Sequence, residues 1–257
     1  MRVRVTGEVE IKDKKGNIYK YKNQIQPTLI PIIMQYARLG GTISNYSYLI
    51  KLLSNDTLAG HYTGTLTYKQ TPTSLQLIFT FIINDAPLST NVLQLFLSSS
   101  LGDFFIAQAD NVELPSGSIQ IVWTISFNIS PQDYFTPYLI FAFFSPPSNQ
   151  TPFINTPLPN IQYAIDAIQN MGYLVPSPAY YVTYNGQYIQ VPVTFTDNSI
   201  SIRYQFQPAT SSVTYINLNI AVTAYKGYVN LMAPIQSITI NPGQLAILFY
   251  DVTWATS

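Results

Sequence analysis

The sequence contains no cysteine and a single histidine, and only 9% of its 257 residues are Asp, Glu, Lys or Arg, far below the usual quarter. Without thiols there is no disulfide framework and no thiolate-bound metal, and the redox state of the compartment leaves no mark on the chain. One histidine excludes the paired-histidine metal motifs. His61 sits between Gly60 and Tyr62 at the start of a strand-like run, with no acidic residue near it in sequence. A turn or strand-edge histidine is the plainer reading than a triad member, which needs positioned partners. Long apolar runs are missing too: Tyr138 to Phe144 is among the longest, well short of the roughly 18 residues of a membrane helix. The opening MRVRVTGEVEIK alternates charge with valine and has no apolar signal-peptide core, so ordinary secretion is not expected. Glycine-rich phosphate loops and dinucleotide fingerprints are likewise lacking. No cofactor and no enzyme activity are expected from this inventory.

What the chain does have is apolar and aromatic residues. Hydrophobic residues make up 47%, including 20 Tyr and 14 Phe, enough for large cores. With so little charge, the surface must be built from Ser, Thr, Asn, Gln and Tyr. Such a surface repels its own kind weakly, which suits a protein packed against other copies. A monomer in an unusual solvent is the competing explanation. The length permits one large domain or two small ones.

A repeated pattern favours two. Residues 28–127 and 160–254 each open with a helical segment closed by glycine and continue in short β-favouring runs. In the first copy Leu29, Ile32, Ile33, Tyr36 and Leu39 recur at helical spacing and Gly40 and Gly41 stop them; in the second, Ile161, Ala164, Ile165 and Ile168 precede Gly172. An alternating strand then ends at Phe81 or Phe206, a loop holds Pro87 or Pro208, and a second strand follows. A variable segment (98–113; 223–236), read as loop, leads to a glycine turn (Gly117; Gly243) and a closing strand rich in aromatics. Asn185-Gly186 is a strong hairpin signal. Strand after strand with turn residues between them is the signature of sandwiches and jelly rolls. The expected fold is all-β: two tandem β-sandwich, jelly-roll-like domains, each with one short helix. The first spans 1–145 with a basic hairpin; a linker with Pro at 146, 147, 152, 157 and 159 covers 146–159; the second spans 160–257. YLIFAFF, residues 138–144, reads as a strand buried on both faces.

Net charge is zero but unevenly placed. Residues 1–51 hold nine basic and three acidic residues, +6, and the remainder is −6. Val3, Val5, Val9 and Ile11 alternate with charged residues, DKKGN turns the chain, and Ile18, Tyr19 and Tyr21 return it. Arg2, Arg4, Lys12, Lys14, Lys15, Lys20 and Lys22 could therefore face an acidic partner, whether nucleic acid, lipid headgroups or a neighbouring subunit. They could equally be a solvated hairpin. Asp103, Asp110 and Glu113 form the only acidic grouping. A calcium site or a glycosidase pair there is a weaker reading than solvated loop acids. Sequons at Asn45, Asn55 and Asn149 would mark outward loops if glycosylated, and Asn128, after a Trp-bearing strand, should be the least accessible. The pairs Tyr46/Tyr48, Tyr180/Tyr181 and Tyr225/Tyr228 could stack on sugar rings, although strand tyrosines at a wet boundary are commoner.

The opening VTGEVEIKDKKGNIYKYKNQI, followed by a short helix and glycine, resembles the N-termini of tail, fibre and capsid-associated proteins of phages and archaeal viruses. IFTF through VLQLFL and PGQLAILFYDVTW are similar to strands of such virion proteins, and low charge without cysteine resembles jelly-roll capsid, turret or penton components of archaeal viruses. That resemblance implies a virion structural protein, located in the virion, whose partners are other copies of itself and other virion proteins; it brings no catalytic residues. A carbohydrate-binding or host-attachment module, contacting host glycans, is the alternative.

Overall fold

The computed structural model describes residues 1–41, 46–71, 73–99, 102–144, 158–207 and 210–256. The class is all-β. In chain order the elements are β1 (Arg2–Asp13), β2 (Ile18–Lys22), β3 (Gln24–Ile25), α1 (Leu29–Leu39), β4 (Ser47–Ser54), β5 (Thr57–Thr71), β6 (Ser74–Ile83), β7 (Val92–Ser99), β8 (Gly102–Asp110), β9 (Ile119–Asn128), α2 (Phe135–Phe144) and α3 (Pro159–Met171). Then follow β10 (Tyr180–Tyr184), β11 (Gln187–Gln190), β12 (Val193–Phe195), β13 (Ser199–Gln205), β14 (Val213–Ala224), β15 (Gly227–Asn230), β16 (Ile235–Ile240) and β17 (Ile247–Thr256).

The repeat read from the sequence is present in the strand pairing. In the first copy β4 lies between β5 and β7, β7 continues to β8, and β5 continues through β6 to β9. In the second, β10 lies between β11 and β14, β14 continues to β15, and β12 continues through β13 to β17. Each copy thus places its fourth strand beside its first, the Greek-key order 4-1-2-3. The copies differ at the corner where the two layers of each sandwich meet. β5 is continuous, pairing β4 up to Gly64 and β6 from Thr65 onward. A Cβ at Gly64 would lie 2.6 Å from both the Phe81 ring and the Thr80 carbonyl oxygen, so only glycine lets the strand change sheets there. In the second copy the corresponding strand is broken into β11 and β12, with Pro192 between them.

β1 joins the copies. It runs antiparallel to β9 over Val5–Asp13 and parallel to β17 over Arg2–Val5. Alternating burial at Val3, Val5, Val9 and Ile11, interrupted only at Thr6–Gly7, turns its valines and isoleucine inward, as the sequence pattern predicts. A single sheet therefore passes across the expected division at 146–159, and the buried apolar residues form one cluster from Val3 to Trp254 rather than two. Most of the proline-rich linker lies outside the described residues; its last member, Pro159, is the first residue of α3, where a missing N–H costs nothing.

Residues 138–144 correct the strand expectation: they belong to α2, in which every residue from Phe135 to Phe144 is buried. A short run that is apolar on all sides cannot be assigned by periodicity, because a strand and a helix buried all round look alike. The distinguishing signal lies just upstream. Asp133 Oδ1 accepts the backbone N–H groups of Phe135 (3.1 Å) and Thr136 (3.0 Å), and Pro137 falls in the first turn. Among the described residues there are accordingly three helices, one more than one per copy.

α2 is the centre of the molecule. Its C-terminal end meets the first sandwich: Phe144 packs against Phe79 and Phe127, Phe141 against Tyr68, and the Phe144 carbonyl accepts the Tyr48 hydroxyl at 2.9 Å. Its N-terminal end meets the second, with Phe135 edge-on to Tyr180 and Tyr138 donating to the Gly172 carbonyl at 2.9 Å. α1 ends as expected at Gly40, whose φ is +60° and whose N–H reaches Tyr36 O at 2.8 Å. A Cβ there would stand 1.9 Å from the Val175 carbonyl oxygen, so this stop is also a contact between the copies.

Candidate functional site

The seven basic candidates are not one patch. The hairpin turn is built by Asp13, whose Oδ1 accepts the N–H groups of Lys15 and Asn17 (both 2.8 Å) and whose Oδ2 accepts Asn17 Nδ2 (2.7 Å). The Asn17 side chain is the main cause that holds the Asp13 carboxyl below the usual carboxylate range. Lys12, Lys14 and Lys15 stand exposed at this tip. Lys20 is committed elsewhere: its Nζ lies 2.5 Å from Glu10 and 3.2 Å from Glu8, and these bonds, Glu10 first, raise its pKa. Lys22 is in register with Glu8. Arg2 and Arg4 lie at the opposite end of β1, about 33 Å and about 26 Å from Lys12 at the usual strand rise, where the Arg4 N–H donates to Asn128 Oδ1.

The acidic grouping is dispersed as well. β8 was expected as loop but is a strand paired with β7, and it puts Asp103 and Asp110 at opposite ends, about 23 Å apart by strand rise. Asp103 binds Lys51 Nζ (2.8 Å) and Ser98 Oγ (2.6 Å), which lower its pKa. Asp110 accepts from Gln108 (2.7 Å), and the backbone of Glu113 is held by the Tyr21 hydroxyl. Among the described residues no three His, Asp or Glu side chains come together as a metal site. His61 is exposed on β5 opposite Lys51. Asn55 sits exposed in the β4–β5 turn, its amide engaged with Asn91, whereas Asn45 and Asn149 lie outside the described residues. Asn128, expected to be hidden, is exposed at the end of β9.

The tyrosine pairs sort differently from their order in the sequence. Tyr46 and Tyr48 are core residues, 8% and 7% exposed, packed on Phe104, Phe143 and Phe79. Tyr180 is buried and donates to Ala37 O at 2.7 Å. Its neighbour Tyr181 points to the other face, as strand alternation requires, and meets two rings from different strands. Tyr188 of β11 and Tyr228 of β15 approach to 4.6 Å between centroids with an interplanar angle of 31°, and Tyr181 stands edge-on to both at 6.3 and 5.6 Å. Tyr188 and Tyr228 lean toward each other across β10 and β14, closing over Ala221, which is 1% exposed. They remain 52% and 39% exposed themselves. Tyr188 was absent from the sequence-derived pairs; its place beside the Asn185-Gly186 turn, opposite Thr183 and on the Tyr181 face, was the available clue.

A second exposed surface is aliphatic. Leu245, Ile247 and Phe249, the last two on β17, are half or more exposed, as is Ile216 on β14, and Ile238 on β16 is 36% exposed. From Tyr204 to Tyr250 the only Lys, Arg, Asp or Glu is Lys226.

Asp133 is the one buried carboxyl among the described residues, 0% exposed at the junction of the copies. Besides capping α2 it accepts the Tyr250 hydroxyl of β17 at 2.9 Å through Oδ1, while Oδ2 meets no hydrogen-bonding group. Desolvation pushes its pKa up against these bonds. Its backbone is fixed by a bridge to Met232, and its carbonyl by Asn160 of α3 at 3.2 Å.

No protein-family model and no solved structure matches the chain. The uncharacterized protein ORF258 of Acidianus filamentous virus 2 is 56% identical over 258 residues, covering the whole of both chains. Identity at that level over the full length leaves one conclusion: this chain belongs to the same family as that archaeal-virus protein.

Proposed function

We propose that this protein is a virion structural subunit, which assembles with copies of itself and with other virion proteins through uncharged faces of its double sandwich. The observation that carries this reading is the set of exposed apolar side chains of the second copy, Ile216, Ile238, Leu245, Ile247 and Phe249, beside which the Arg203–Asp251 ion pair flanks Ile247 and Phe249. Exposed apolar area with little net charge favours association. The virus of the relative is named as filamentous; a filament has a shaft and ends, so the role carried forward is assembly into a particle rather than a place at a vertex. The work is packing and hydrogen bonding, not catalysis. Contact with nucleic acid or lipid headgroups, if made, falls to the Lys12, Lys14 and Lys15 tip, because Lys20 is already paired.

With few carboxylates to protonate, association should persist in acid. Light scattering on purified protein from pH 3 to 7 is expected to give a multimer mass throughout; a monomer at every pH would sink the assembly reading.

The tyrosine group favours a second reading, attachment to host glycans by stacking of pyranose faces on Tyr188 and Tyr228. Under it, Tyr188→Ala with Tyr228→Ala should weaken selective binding on a glycan array at least tenfold. An array on which the native protein shows no selective binding removes this reading.

A further inference from the structure

The second copy contains one strand that the first does not. Between β8 and β9 residues 111–118 run without a strand, whereas between β15 and β17 the chain inserts β16. β16 pairs with Val213–Leu218 of β14, a length of strand beyond the part, Asn219–Val222, that pairs with β10. The two form a largely exposed ribbon: Thr214, Ile216, Asn217 and all of 236–239 are exposed and of β16 only Ile240 is buried, while Tyr215 leans on Tyr184 and Phe206 and Ile235 rests against the core. The sandwich does not need this ribbon, since the first copy closes without it.

Other sheet edges among the described residues are short, charged or irregular; the longest of them, Thr57–Gly64 of β5, holds Gly60 and Gly64 and is bulged against β4 at Leu52/Leu53. β3 and β12 are two and three residues long, β11 and β15 four each, and β2 carries Lys20 and Lys22. β16 is six residues, IQSITI, with no charge, proline or glycine and with constant register against β14. Among the described residues no strand occupies its outer edge. Its outward N–H and C=O groups are thus available to a further strand.

We infer that the outer edge of β16 is a seam at which two copies of this chain join, strand to strand, in antiparallel register about a two-fold axis. This rests on the assembly reading and names its surface. A second copy is the fitting occupant because the ribbon bears no charge of its own: like strands meet without repulsion, and there is nothing for a partner of opposite charge to recognise. Such an axis, normal to the ribbon, brings together residues of the same parity, so either Ile238 or Ser237 meets its own twin.

The absence of cysteine makes a direct test clean. Single substitutions Gln236→Cys, Ser237→Cys, Ile238→Cys and Thr239→Cys in the full chain should, on oxidation, give a disulfide-linked dimer at the one position that lies on the axis, Ser237 or Ile238, and not at its neighbours, whose twins are two or more residues away along the strand, with Tyr188→Cys as the collision control. Gln236→Lys, alone and with Ile238→Lys, should raise the dimer dissociation constant at least tenfold with the far-ultraviolet spectrum unchanged. Gln236→Lys alters only an exposed side chain and serves if the double variant misfolds. Assembly that persists in the lysine variants, with cross-linking no better than the control, overturns the seam and leaves assembly standing. A native protein that never associates overturns both, and cross-linking only to a different virion protein overturns pairing between like copies.

Discussion

Phe144→Ala is expected to destabilise the fold by about 3–5 kcal/mol, the usual cost of emptying a fully buried phenylalanine site. Phe144 is 0% exposed and closes the C-terminal end of α2 against rings from two strands of the first sandwich, Phe79 at 6.3 Å and Phe127 at 6.4 Å. Phe127 in turn packs on Trp254 of β17, so the hole would open beside the place where the two copies share their sheet. Little can collapse into it, because the surroundings are strands fixed by their ladders. Denaturant titration should show the midpoint moving with the slope unchanged. Phe249→Ala is the control: that ring is 61% exposed and its loss should stay within about 0.5 kcal/mol. A Phe144→Ala variant within 1 kcal/mol of the native protein would show that α2 does not organise the core.

Asp133 should give the second large effect, and one with a distinctive dependence on pH. A carboxyl whose folded pKa lies above its unfolded value of about 3.9 binds its proton more tightly in the native state. Its stabilising contribution is present in acid and is lost as pH rises through the unfolded value toward the folded one. Asp13 and Asp103 have the opposite sign, losing their contribution as pH falls, but both are largely exposed and their effect is screened. The native protein should therefore become less stable on raising the pH above about 4, until Asp133 has ionised. Asp133→Asn keeps an acceptor for Phe135, Thr136 and Tyr250 and removes the titration, so its stability curve should be flat over that interval. Asp133→Ala removes the cap and leaves the Tyr250 hydroxyl without its acceptor, at a cost of about 2–4 kcal/mol. Thermal melts at half-unit pH intervals distinguish the three. Native and Asp133→Asn curves of identical slope would mean that this carboxylate is charged in the fold.

Much of the architecture was legible because the patterns that reveal it are local. Alternating Val3, Val5, Val9 and Ile11, the DKKGN turn, and helices stopped at Gly40 and Gly172 all appear where the sequence places them. The duplicated order of elements survives as a duplicated Greek key although few residues are shared between the copies. What was not legible depended on distance or on symmetry of burial. Nothing near Arg2–Val5 announces that Thr253–Thr256 will lie beside it, and YLIFAFF carries no face to distinguish helix from strand. β8 lies in a segment, 98–113, that varies between the copies and so reads as loop; its buried residues are Ile106, Ala107 and Ala109, too few and too small to mark a strand. At the surface, Tyr181 and Tyr228 were recognisable as candidates, but only the sheet shows that Tyr188 completes them and that Tyr46 and Tyr48 do not take part.

The parallel pairing of β1 with β17 bears on how the protein is made. β1 leaves the ribosome first among the strands, and the residues that complete its pairing emerge last. Contacts separated by nearly the whole chain carry the largest closure cost and slow folding. Until β17 has been made, the Arg2–Val5 segment of β1 has no neighbour on that side and the face carrying Trp254 is unmade. The nascent first copy therefore offers an open edge to other chains being made nearby, and premature release would leave it so. Closure comes when β17 settles along Arg2–Val5 and the Thr253 N–H reaches Met1 O at 3.0 Å.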